Sequence, residues 1–465
     1  MNASSTHDKA LRINLDAARY GTFAEIGAGQ EVARWFFIVG AAAGTVAKTI
    51  SAYDMAVSDA VYGAAQRYVS RRRLQAMLDH EWQLLLERLD ASRGASTQFF
   101  VFADTVAAKS YSRKEEGHGW LGIRFQAAPH TAPSEILVHA RMWDLENARQ
   151  QEALGILGVN LLHGAFYDHA RPEALIGSLM DNLTRDRMEV DMIKFSGPAF
   201  AGVDNRIMSL NLVQQRLTNA VLFSPDGDVL EPAELLYRAP VLIERGSFRP
   251  VTTVTQDMLT CSLAHISKEP DMRGREPVVL MEMTVRNLEA LGEQVVHADF
   301  LARVDVLRAL GRTVMVTNYS RFHNVTTYLR RYTAERIGMV AGVPTLARIF
   351  EERHYADLAG GLLEALGRLL AGPVKVYVYP WRNTATGEVV SAATFAVPPQ
   401  LTHLYAYLRE NGFIEALDAA ADADLSVMPE RVLALIQAGD PEWERFVPAE
   451  VVGVIKEKRL FGLPT

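Results

Sequence analysis

The sequence predicts an α/β protein, with mixed α+β as the variant: a helical N-terminal segment, mixed sheets, and a second unit of alternating strands and helices. Three observations carry that expectation. Apolar residues recur at helical spacing over residues 31–88, short runs rich in aromatic and branched residues begin at Thr97, and apolar runs alternate with helix-length stretches beyond residue 200. A chain of 465 residues exceeds one ordinary core. The expected division is therefore a polar arm over 1–22, a helical segment plus α/β unit over 23–200, and a second α/β unit with a helical C-terminal region over 201–465.

Taken in order, residues 1–22 are polar and read as a loosely held arm. The stretch Phe23 to Gly63 follows, dense in glycine and small residues, and Glu31 to Arg88 reads as two or three helices. Leu74, Leu78, Leu85, Leu89 and Trp82 give the last of these a buried stripe opposite Arg71, Arg72 and Arg73. The runs TQFFVFADTV, WLGIRFQ and EILVHARMW read as strands, with the charged loop KSYSRKEEGHG between the first two. Helices are expected over Leu145–Phe166 and Pro172–Leu183, then a strand over Val190–Phe195. The segment SGPAFAGVDNR is the best linker by composition.

Beyond it AVLFS and PVLIERG read as strands around the turn SPDGD, followed by a helical stretch Val278–Leu310, the strand TVMVTN, and a helix from Tyr319 to about Ile337. Helices over Pro344–Leu370, a hairpin of VKVYVYP with VVSAATFAV, and a mostly helical remainder complete the chain.

Composition excludes several classes. A net charge of −7 argues against a general nucleic-acid binder, which needs a basic face. The single cysteine, Cys261, rules out an internal disulfide framework and a cysteine-rich metal site. The first residues lack a basic region followed by an apolar one, and the apolar run Trp35–Ala47 is short of the ~20 residues a span requires. These features predict a soluble, cytoplasmic protein.

Candidate chemistry concentrates at glycine-adjacent charged residues. GAAAGTVAKT over Gly40–Thr49 has the look of a phosphate loop, yet alanines stand at 42 and 47 where that motif needs glycine, so helix packing through Gly40 and Gly44 is the expected role. The pair Gly27 and Gly29 opens a helix and offers an anion seat. On a helix Ser51, Asp54 and Ser58 share a face that can wall a pocket. His118, between two glycines beside Arg113, is free to approach a ligand. His163, Asp168 and His169 cluster without a further ligand at metal-site spacing. We expect Lys48, Asp54 and His118 as catalytic residues, and Arg113, Ser51, Ser58, Asp226 and Asn318 as ligand-binding residues. A divalent metal is compatible with this set, but no residue is assigned to one.

The runs VLFSPDGDVLEP and VMVTNYS resemble the first two motifs of the haloacid-dehalogenase phosphatases, with Asp226 and Asn318 in them. Ser224 stands where the nucleophilic aspartate belongs, and serine forms no aspartyl-phosphate. Separately, the opening block, GHGWLGIRFQ, QQEALGILGVNLLHGAFY, ERGSFRPVT and HLYAYLRENGFI resemble a family of full-length bacterial homologues described in two conflicting ways. One description is a TonB-dependent receptor, which implies tandem amphipathic strands that this chain lacks. The other is a nicotinate-nucleotide adenylyltransferase, which implies a His-x-Gly-His site. Gly117-His118-Gly119-Trp120 supplies one histidine. The residues themselves point to an enzyme or ligand-binding protein acting on an anionic, phosphate-bearing or nucleotide-like small molecule. The alternative is a non-catalytic homo-oligomeric assembly protein.

Overall fold

The protein, in a computed structural model, is described over residues 4–109, 116–289 and 296–464. It is an α/β protein of two compact units that divide between Asn219 and Ala220. The division lies beyond the glycine-containing stretch 196–206 because Asn205 closes back on β6: its side chain bonds both the N–H and the carbonyl of Phe195.

In the first unit β1 (Arg19–Gly27), β2 (Val46–Ala52), β3 (Gln98–Ala107), β4 (Gly117–Phe125), β5 (Ser134–Met142) and β6 (Met188–Ser196) form one sheet, ordered β2-β1-β3-β4-β5-β6. β1 runs parallel to both neighbours, and the other pairs are antiparallel. Phe23, Phe36, Phe100 and Phe102 pack within the core, with Phe23 5.0 Å from Phe36 and 5.6 Å from Phe100 between ring centres.

Two N-terminal expectations are corrected. The arm contains a helix, Thr6–Asn14, capped by Ser5 and anchored by buried Lys9, whose Nζ donates to Asp181 at 2.6 Å and Asn160 at 2.8 Å. A buried ammonium persists only with such partners. The second correction concerns Gly40 and Gly44. The helix there stops at Ile38, Gly40 sits at φ 82°, and the branched residues Val46, Thr49 and Ile50 lie in strand β2. A Cβ on Gly40 would meet nothing within 4 Å, and one on Gly44 only the Asn14 carbonyl at 3.9 Å, so neither glycine serves close packing.

The glycines that do serve it are Gly155 and Gly158, on the helix Asn147–Tyr167. A Cβ at Gly158 would lie 2.4 Å from Val32 Cγ2 on the helix Val32–Ile38, and one at Gly155 3.0 Å from Glu31 Cβ. Small residues bring the two helix backbones together at this crossing.

The second unit holds β7 (Ala220–Phe223), β8 (Val229–Leu230), β9 (Val241–Arg245), β10 (Val278–Thr284), β11 (Thr313–Thr317), β12 (Ile337–Gly342), β13 (Val374–Tyr379), β14 (Trp381–Arg382), β15 (Val389–Val390) and β16 (Ile414–Ala416). Eight of these form a sheet ordered β16-β13-β12-β9-β10-β11-β7-β8, and β14 pairs with β15 apart from it. From β16 to β11 every pair is parallel, and β7 is antiparallel to β11. From β9 the chain steps outward to β10 and β11, then returns to build β12, β13 and β16 on the other flank. The six parallel strands thus follow the doubly wound 3-2-1-4-5-6 order, with the reversal between β9 and β12.

Here too the sequence misleads in places. VVLMEMT, expected as helix, is β10, and IGMVAG is β12. Strands covered on both faces are apolar throughout and lose the two-residue period that marks a strand. VKVYVYP pairs in parallel with β12 and β16 rather than in the expected hairpin, which shrinks to β14 and β15.

Gly158→Ala should lower stability by about 1–3 kcal/mol through overpacking against Val32, whereas Gly44→Ala should stay within about 0.5 kcal/mol. Denaturant melts of the two variants check the contrast. Equal losses would restore Gly44 to a packing role.

Candidate anion-binding crevice

In the second unit, β9, β10, β11 and β12 are parallel and end at the same side of the sheet. The segments after them, Arg245 to Ser247, Thr284 to Asn287, Ser320 to Phe322 and Thr345 to Arg348, line a cavity of about 800 Å³ together with Glu351, Arg353, His354, Tyr355 and Glu430. Five arginines face it against two glutamates.

Most of these cations are already paired. Arg245 ends β9 on the face that carries Val241 and Ile243 into the core. Its guanidinium grips Glu282 through two bonds of 2.5 and 2.7 Å and donates to the carbonyls of Tyr319 and Ser320, with the Phe322 ring centre 4.4 Å away. Glu282 is 1% exposed and also accepts from Thr317 at 2.6 Å. Arg321 holds Asp357 through two bonds and keeps its carboxyl below the usual range. Arg353 does the same to Glu351, with His354 adding to the effect.

Arg286 and Arg348 differ: both are exposed and no described residue pairs with either. They leave the crevice with two uncommitted guanidinium groups, the hydroxyls of Ser247, Ser320 and Thr345, and the Asn287 amide. Glu430 is the one acid of its lining without an ion-pair partner among the described residues. Such a wall suits a planar-oxygen anion, which guanidinium groups bind through paired N–H donors.

Among the described residues, none of those predicted from the sequence lines the crevice. Asn318 follows β11 and stands two residues before Ser320 at the crevice. Asp226 belongs to the turn after β7, and β7 is antiparallel to β11, so that turn sits at the opposite sheet end. Its carbonyl accepts from Arg308 at 2.7 Å. The two phosphatase-like motifs are therefore held apart by the length of β11.

In the first unit Lys48 lies on β2 and pairs with Glu81. Asp54 caps the helix Met55–Tyr62, accepting from the N–H groups of Ala56 and Val57. Ser51 is exposed on β2 and Ser58 is buried in that helix, so the expected shared helix face does not exist. Arg113 lies outside the described residues. The glycine pair at 27 and 29 offers no anion seat, because the chain's own Glu25 accepts from the N–H groups of Val32 and Ala33 at the helix start.

His118 faces inward. Its Nδ1 lies 3.1 Å from His139 Nε2, and His139 Nδ1 lies 2.5 Å from Asp191, which also accepts from Arg141 at 2.8 Å. Asp191 is the extra residue of a bulge between β5 and β6, which turns its side chain toward both partners. Burial, then His139 and Arg141, depress the His118 pKa to about 3, so its ring is neutral. No described hydrogen bond or ion pair joins Lys48, Asp54 and His118. Sequence reasoning missed His139 and Asp191 because bulges leave no mark in residue order, and missed Arg286 and Arg348 because β10 was read as helix and β12 was not assigned to any element.

Asp168 pairs with Arg171, His169 bonds the Ala165 carbonyl, and His163 meets Arg12, so these three residues end a helix rather than bind a metal.

Three interior acids, Glu25, Asp104 and Glu244, give the protein a pH signature. Burial pushes Glu25 up to about 7 and Glu244, on β9, up to about 8; Glu244 Oε2 meets no hydrogen-bond partner among the described residues. Both folded values exceed the ordinary 4.5, so the stability each contributes is fully present below that pH and is lost as pH rises through the folded value. Below pH 6.5 the depressed His118 and His163 oppose this trend, so the thermal midpoint should fall between about pH 6.5 and 8, each acid contributing about 1.4 kcal/mol per pH unit up to its folded value. Glu25→Gln and Glu244→Gln should each flatten that decline, and a variant with the parent slope would remove its residue from the account.

No family model matches the chain, and no curated protein matches it. Among solved structures it is similar to the competence/damage inducible protein CihA from Agrobacterium tumefaciens, with 17% identity, 35% of this chain and 96% of that one covered, and a TM-score of 0.25. It is also similar to a competence-damaged protein (CinA) superfamily member from Enterobacter cloacae, with 11% identity, 36% and 92% covered and a TM-score of 0.25. A competence or damage-inducible protein from Enterobacter asburiae shows 10% identity, 36% and 98% coverage and a TM-score of 0.26.

Proposed function

We propose that the second unit binds an anionic, phosphate-bearing, nucleotide-like small molecule in the crevice beyond β9, β10, β11 and β12. The observation that carries this reading is a polar cavity, lined by five arginines, at the carboxyl ends of a doubly wound sheet beside its reversal. Ligands of open α/β sheets bind at that place. A volume of about 800 Å³ also falls within the usual range for small-molecule sites. The first turn, Gly246-Ser247-Phe248, lacks the three-glycine fingerprint of dinucleotide loops, so guanidinium and hydroxyl donors take the larger share of anion recognition. Fixed cations around a phosphate are also what phosphoryl or nucleotidyl transfer needs from a protein, and the proposal covers an enzyme as well as a binding protein. Location in the cytoplasm is part of the same proposal, resting on the single unpaired Cys261.

Isothermal titration of the full chain with inorganic phosphate, AMP, ADP and NAD, with and without magnesium, tests it. At least one should bind, with affinity falling as salt rises. Arg286→Ala and Arg348→Ala should each weaken that binding by about tenfold, or about 1.4 kcal/mol. Silence from every probe, or variants that bind like the parent, would remove the reading.

A second reading, assembly with another copy of this chain, rests on an apolar surface in the first unit. Phe37, Ile38, Tyr53, Met55 and Val57 are each more than half exposed, near the sheet's edge strand β2. Unpaired edges and exposed apolar patches are where chains associate. Light scattering at micromolar concentration should show a mass above the monomer, reduced by Tyr53→Glu with Met55→Glu. A monomeric parent protein sinks this second reading alone.

A further inference from the structure

The cavity wall is held from behind by one residue that does not line it. Arg303, on the helix His297–Ala309, is 1% exposed. Its Nη1 donates to the carbonyl of Ser247 at 3.2 Å and to that of Asn287 at 3.3 Å. Ser247 belongs to the turn after β9 and Asn287 to the short helix Val285–Glu289 that follows β10, and both line the cavity. One guanidinium therefore ties two separate walls together.

Its aim is fixed in turn. Asp299, one helical turn earlier, accepts from Arg303 Nε at 2.6 Å and from Arg249 Nε at 2.5 Å, so the same carboxylate orients the clamp and secures the far side of the β9 turn. Burial lowers the Arg303 pKa and Asp299 opposes that shift, which makes the pair mutually dependent. The turn being held is a strained one: Phe248 adopts φ 50°, and its ring would lie 2.7 Å from a Cβ at Gly246. Such a conformation persists when its surroundings over-determine it. The start of the helix Val285–Glu289 is held twice through Asn287, whose N–H donates to Thr284 Oγ1 and whose carbonyl accepts from Arg303. Uncommitted Arg286 lies between Thr284 and Asn287.

We infer that Arg303, aimed by Asp299, is a positioning residue that sets the Arg286-bearing start of the helix Val285–Glu289 and the Ser247 turn at fixed height in the crevice. This rests on the anion-binding reading of the same cavity, and the test separates the two.

Arg303→Met, Asp299→Asn and Arg286→Ala are made in the full chain, singly and with Arg303→Met combined with Arg286→Ala. Hydrogen–deuterium exchange without ligand reads the clamp itself. Amides at 246–249 and 285–288 should exchange faster in Arg303→Met and Asp299→Asn, with β13 unchanged, and unchanged exchange in both segments overturns the inference. Titration with ADP reads its consequence: each of Arg303→Met and Arg286→Ala should cost about tenfold in affinity, and the double variant about the same tenfold, because the two act through one group. A double variant weakened about a hundredfold means independent effects and overturns the positioning role. If Arg303→Met does not fold, Asp299→Asn decides by exchange. If the parent protein binds no ADP, the anion-binding reading loses that support and exchange alone decides the clamp.

Discussion

The crevice depends on the buried pair of Arg245 and Glu282. A guanidinium 11% exposed and a carboxylate 1% exposed would each be prohibitive alone, and each makes the other tolerable. Their position matters more than their energy. Arg245 ends β9, Glu282 lies near the end of β10, and Thr317 of β11 donates to the same carboxylate. The guanidinium continues to the carbonyls of Tyr319 and Ser320. Three strand ends and the turn after the third are thereby drawn to one charged floor. Since that floor is neutral as a pair, any anion recognised above it must be held by the cations of the rim.

The first unit shows the opposite use of the same residue types. Its glycine-rich opening would offer backbone donors to an anion, but Glu25 already receives them. Gly29 is needed there for a different reason: a Cβ would lie 2.0 Å from Asp104 Oδ1, so the chain must pass directly over a second buried acid. Asp104 is raised well above the usual carboxylate range by burial and by Glu25. Lys48 is likewise taken by Glu81, and Asp54 by the helix it caps. Residues that look reactive in one dimension are here the internal partners of one another.

That contrast explains what could be read from residue order. The fold class was legible, because the helix over Asn147–Tyr167 keeps its apolar spacing and the strands β3, β4 and β5 are rich in aromatic and branched residues. β10 and β12 were not, because both faces of a central parallel strand are buried and an apolar run of six or seven residues fits helix equally well. Losing those two strands concealed the strand-order reversal, and with it the place where the site must lie. β11 itself was legible because recognisable strand and turn signals flank it, although Asn318 after it does not line the crevice. Arg286 and Arg348 carry no local signal: each is an ordinary surface arginine until the parallel order brings the helices after β10 and β12, Val285–Glu289 and Val343–Ile349, to one edge.

Once that order is known, the spacing of the rim follows from it. β10 and β12 are the two neighbours of β9, so the backbones that lead to Arg286 and Arg348 stand two interstrand spacings apart, about 10 Å. Between them β9 delivers Gly246, which has no side chain to fill the gap and whose missing Cβ leaves room for the Phe248 ring. Arg286 and Arg348 stand on flexible stems on the two walls that flank Gly246. A side chain at 246 would press on the buried Phe248 ring, and a shift of either helix, Val285–Glu289 or Val343–Ile349, would move its arginine away from the other. The site is therefore a property of strand order and turn height, with the arginines supplying charge that the backbone has already placed.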